Sequence, residues 1–155
     1  MGPSCPPDAG AGGRIKSMDE VSRQIVKQVI KITDEDLDRL SPGMKKLLSN
    51  LPEKMKWRII AEVTESKYCF AGLKPGDKFV FNFPVLNVSE STAAPCIEAI
   101  SPLTNQIRAM LDRVSEGLDP NESIFATQQV SCMDVGVGHG GLGRVMFRLY
   151  AEKAG

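Results

Sequence analysis

Asp134 to Gly143 read Asp-Val-Gly-Val-Gly-His-Gly-Gly-Leu-Gly, a stretch that gathers glycines around the only histidine of the chain, His139. Glycine adopts positive φ at no steric cost and lets a ligand approach the backbone closely. Gly136, Gly138, Gly140 and Gly141 could therefore bind a ligand, or form an anion nest from successive N–H groups. The stretch fits neither the phosphate loop G-x-x-x-x-G-K-[ST] nor the dinucleotide fingerprint, which needs a helix directly after the glycines. A strand pattern follows instead, and the plain alternative is a mobile hairpin connection. Cys132 and Asp134 stand two residues apart and share one face if the preceding strand persists. With Cys96 and His139 they offer sulfur, carboxylate and imidazole, donor types that suit zinc or iron. Their spacing matches no zinc module. Cys96 follows Pro95 at an expected helix start, where the helix dipole lowers a thiol pKa. A Cys96–His139 nucleophile pair would be the corresponding catalytic arrangement; the plain alternative is a small buried hydrophobe. No oxyanion hole or cofactor fingerprint accompanies these residues.

The elements that would position them follow from hydrophobic periodicity. Residues 1–16 are rich in Pro and Gly and form an arm with little to bury. Residues 17–53 form a helical extension. Val21, Ile25, Val29 and Ile32 recur at helical spacing, beside a basic stripe of Arg23, Lys27 and Lys31 that reads as a solvated face. Thr33, followed by Asp34, Glu35 and Asp36, suits the start of a second helix. Pro42 suits the first turn of a third. The α+β domain takes residues 54–155. Met55 to Glu65 alternates apolar and polar residues as a half-buried strand, and Phe79, Phe81 and Phe83 mark a second. Pro75-Gly76 between them fits the centre of a type II turn. Residues 91–117 form a helix with Ile97, Ile100, Ile107, Met110, Leu111 and Val114 on its buried face, Pro102 as a kink and Gly117 as the cap. Residues 124–133 and Val145, Phe147 and Leu149 supply the last strands.

The order is helices and then β-β-α-β-β: an α+β fold with a mostly antiparallel four-stranded sheet. A crossover helix makes the second and third strands parallel. Their C-terminal ends would then meet, bringing Cys96, Cys132, Asp134 and His139 to one edge and leaving Cys69 at the other.

Composition narrows the function. The 155 residues carry 19 Lys+Arg against 19 Asp+Glu, which disfavours a nucleic-acid partner, whose binding footprint is a basic excess. No apolar run of the ~18 residues that would mark a membrane span occurs, so no membrane partner is expected. Without an evident secretory signal, the four cysteines are expected as free thiols in the cytoplasm.

Three short motifs carry a family resemblance. They are Cys69 before Gly72-Leu-Lys-Pro-Gly-Asp-Lys-Phe79, Cys96-Ile-Glu-Ala-Ile100, and Cys132-Met-Asp134 before Val145-Met-Phe-Arg-Leu149. Over residues 55–151 the chain resembles a small uncharacterised family of cysteine-bearing conserved proteins of anaerobic bacteria and archaea. It departs from that pattern at Val135 and in its expanded glycine loop. The resemblance implies no established activity. With no complete catalytic set, the sequence reads as a small accessory or structural subunit of a homo- or hetero-oligomer, beside a larger metabolic enzyme, with protein association or self-association as its mode of action. The alternative is a small thiol- or metal-dependent enzyme or cofactor-binding protein that uses Cys96, Cys132, Asp134 and His139.

Overall fold

The computed structural model describes residues 18–122 and 128–154; the arm expected over residues 1–16, with Cys5, lies outside them. The chain divides into two compact units between Ser49 and Asn50.

The first unit holds α1 (Glu20–Ile30), α2 (Asp34–Arg39) and α3 (Pro42–Ser49). Each start has a chemical cause. The Asp19 carboxylate accepts the Ser22 N–H at 2.9 Å, and the Thr33 hydroxyl accepts the Asp36 N–H at 3.2 Å. The basic stripe of α1 is not simply solvated. Arg23 pairs with Asp34 at 2.7 Å and Asp38 at 3.0 Å, and Lys27 pairs with Asp34 at 2.5 Å. These ion pairs hold the acidic start of α2 against α1.

The second unit holds α4 (Leu51–Lys54), β1 (Trp57–Lys67), β2 (Lys78–Asn82), β3 (Val85–Asn87), α5 (Ile97–Ser115), β4 (Gln129–Ser131) and β5 (Arg144–Lys153). The α+β class holds, but the sheet has five strands rather than four, in the order β3-β2-β1-β5-β4, and every neighbouring pair is antiparallel. The added strand is β3, three residues long and too short to show an alternation. Its presence corrects the expected topology. Because β3 reverses the chain once more, α5 leads from β3 to β4, and β2 and β4 run in opposite directions. Of the strand expected over residues 124–133, Gln129–Ser131 is observed, while residues 123–127 lie outside the described set.

One sheet face carries the core. Ile59, Ala61 and Val63 of β1, Phe79 and Phe81 of β2, and Val145, Phe147 and Leu149 of β5 meet Ala99, Leu103, Met110 and Leu111 of α5. The Phe79 and Phe147 rings stack with centroids 5.8 Å apart. Burying each such ring contributes roughly 1.5–3 kcal/mol. Ile97 is a correction: expected on the buried face, it is 81% exposed, and Ala99 and Leu103 fill the core instead. The opposite face is polar around the buried pair Ile60 and Val80. Across it run the ion pairs Arg58–Glu152, Arg58–Glu90 and Arg148–Glu62.

Candidate functional site

β5 lies antiparallel between β1 and β4, so those two strands run the same way and end at the same edge. Cys69, two residues past β1, and Cys132, directly after β4, both leave from it. The opposite-edge placement of Cys69 is thereby overturned, because it rested on a parallel β2–β4 pair that β3 removes.

The start of α5 reaches this edge through its proline. α5 runs unbroken through Pro102, which has no N–H to give to the carbonyl four residues back. That carbonyl belongs to Glu98, and it accepts the Met133 N–H at 3.0 Å instead. The proline expected as a kink thus frees an acceptor that ties the segment after β4 to the first turn of α5.

Between Cys132 and β5 the glycine loop folds around one carboxylate. Asp134 accepts N–H groups from Gly136 at 2.9 Å, Leu142 at 3.0 Å and Gly143 at 2.9 Å. These charge-assisted bonds hold its carboxyl below the ordinary carboxylate value, the Gly143 amide most strongly and Gly136 next. The anion nest expected here is thus filled by the chain's own side chain. Three further amides close onto loop carbonyls, His139 and Gly141 onto Gly136 at 3.0 Å each and Gly140 onto Val137 at 3.4 Å. Gly136 and Gly140 have φ of +78° and +85°, and a Cβ on Gly141 would stand 2.0 Å from the Asp134 carboxylate. Gly143 is forced by its neighbours: a Cβ there would lie 2.4 Å from the Tyr68 carbonyl oxygen and 2.8 Å from that of Lys67. The loop therefore rests directly on the end of β1. Gly138 shows no such requirement, with open space around its position.

The thiols underpin this arrangement. The Cys132 sulfur accepts the Val145 N–H at 3.3 Å and faces the Asp134 carbonyl at 3.8 Å, while the Cys132 N–H donates to Val145 at 2.9 Å. Cys96 is the N-cap residue of α5, as expected, but its side chain makes no capping hydrogen bond. Cys69, Cys96 and Cys132 are free thiols, half-buried against the core. His139 is exposed at the end of the 3-10 turn Val137–His139. Among the described residues no group of three or more His, Cys, Asp or Glu could hold a metal ion. The zinc or iron donors Cys96, Cys132, Asp134 and His139 are thus brought to one edge without converging as ligands.

What the edge does present is apolar surface. Phe70 is 98% exposed, and Tyr68, Val137, Met133, Val135 and Leu142 are each more than half exposed. Together with Ile97 they belong to the three segments joined above: the end of β1, the first turn of α5 and the glycine loop. The sequence reading passed over this rim. Its signal was present in Tyr68-Cys-Phe70, two aromatic residues placed just past a strand, where turn residues are usually polar. Comparison of the chain with family models, with curated proteins and with solved structures finds no match. No helix among the described residues is long and apolar enough to cross a membrane.

Proposed function

We propose that this chain is a non-catalytic accessory subunit that joins a complex through the apolar edge around its glycine loop. The observation that carries the reading is a set of exposed apolar side chains, Tyr68 and Phe70 just past β1 and Val135, Val137 and Leu142 on the neighbouring glycine loop, which Asp134 ties into one shape. Contiguous exposed apolar surface marks interaction sites on soluble domains. A loop already fixed in shape loses less entropy on binding than a flexible one. The same reading takes Cys69, Cys96 and Cys132 as the layer that seats this edge on the core, and the family resemblance over residues 55–151 as a likeness in that layer.

The test is the size of the native assembly. In extracts of its own host the full chain should run with a larger assembly, and the variant carrying Phe70→Ser and Leu142→Ser should run near its own 16.9 kDa. Wild-type protein running as a free monomer would remove the reading. Stoichiometric zinc or iron in protein purified without added metal would favour the thiol- or metal-dependent alternative.

A further inference from the structure

Helix α1 leaves its most regular apolar row uncovered. Val21, Ile25 and Val29 follow one another at intervals of four, the spacing that lines side chains up as a ridge on a helix surface. The first unit buries the neighbouring row instead, through Ser22 and Val26. Val21 is 66% and Val29 46% exposed, with Ile25 half-buried between them. On the other flank of the ridge stand Glu20, Gln24 and Gln28, all exposed, and exposed Lys31 closes the helix. Arg23 and Lys27 lie on the far side of α1, where Asp34 and Asp38 hold them.

In either direction along the helix the ridge is Val-Ile-Val, and we infer that it packs against the same ridge of a second copy of this chain, antiparallel across a two-fold axis. A two-fold contact sets one patch against itself, and an antiparallel one places each flank beside the same flank of the partner. Ile25 then packs beside the partner's Ile25, and Val21 beside the partner's Val29. Gln24 comes opposite the partner's Gln28, two uncharged amides. The Glu20 end of one helix meets the Lys31 end of the other, whereas a parallel pairing would set the two Glu20 ends together. Ridges at intervals of four interlock at a crossing angle of about 50°. One ridge of three residues offers less surface than the ~800 Å² per partner that stable interfaces bury. The pair therefore forms in concentrated protein and dissociates at the dilution of an extract. It lies in the helical unit and adds a second surface to the loop edge that joins the complex.

Sedimentation equilibrium of the full purified chain, carried up to about 1 mM, tests the inference. The mean mass should climb with concentration from 16.9 kDa toward twice that value and no further. Val21→Glu or Val29→Lys alone should weaken pairing at least about tenfold, because each sets a charge against an apolar neighbour. The two substitutions together in one chain should restore it, since each new carboxylate then meets a new ammonium of the other copy. Both suit the helix, with the carboxylate near its N-terminus and the ammonium near its C-terminus. Unchanged helix content by circular dichroism therefore separates lost contact from lost fold. A wild type that stays monomeric at every concentration would overturn the inference. So would single variants that pair as the wild type does, or a double variant that stays monomeric. Self-association abolished by Phe70→Ser but not by Val21→Glu would place the contact at the loop edge and overturn it too. The accessory-subunit reading is judged separately, by the host assembly that needs Phe70 and Leu142.

Discussion

Asp134 does at residue scale what a bound anion does in a phosphate-binding loop, and it makes the glycine loop a titratable structure. Its carboxyl is held below the ordinary 3.8 by the Gly143, Gly136 and Leu142 amides. A depressed folded-state pKa contributes stability that is complete above the unfolded value and is lost as pH falls through the folded one. The amide chemical shifts of Gly136, Leu142 and Gly143 should therefore move together in one titration whose midpoint lies below 3.8. A transition centred near neutral pH would contradict the clamp. The glycines offer a second test, because their surroundings differ. Gly143→Ala drives a Cβ into the backbone of Lys67 and Tyr68 and should cost ~1–3 kcal/mol in denaturant unfolding. Gly138→Ala meets open space and should be neutral or stabilise by up to ~1 kcal/mol through the unfolded chain. Equal effects at the two positions would sink the account of the loop.

At the scale of elements, regular alternation was readable and short pairing was not. Trp57, Ile59, Ala61 and Val63, and likewise Val145, Phe147 and Leu149, declare their strands because most residues between them are polar. Val85–Asn87 gives only three residues at a sheet edge, and missing it reversed the inferred direction of everything downstream. The site suffered accordingly: Cys132, Asp134 and the glycines were rightly grouped, but Cys69 went to the wrong edge. What Asp134 does was also hidden, since Leu142 and Gly143 lie eight and nine residues further on and no periodicity reports such a closure. Pro102 makes the coupling between elements testable. Relieving a proline inside a helix should return ~3 kcal/mol, but the new N–H in Pro102→Ala competes with Met133 for the Glu98 carbonyl. The gain should fall clearly short of that figure, with faster hydrogen exchange at Met133. A full gain with unchanged Met133 exchange would show that the contact ties nothing. In the core, Phe147→Ala removes the ring stacked on Phe79 and should cost ~3–5 kcal/mol.

For the whole molecule, the core residues of the sheet and α5 all fall within residues 50–155. That segment should keep a cooperative thermal transition on its own, because its apolar faces are covered by its own elements; a gradual melt with exposed hydrophobic surface would show that the helical unit completes the core. The central claim, that this unit displays a preformed loop edge to a partner, is tested most directly by hydrogen exchange in the full native chain. Met133, Gly136, Leu142 and Gly143 should exchange slowly and exposed Gly138 fast, with Asp134→Asn releasing Gly136, Leu142 and Gly143. Exchange of all five amides at unstructured-chain rates in the wild type would contradict the account.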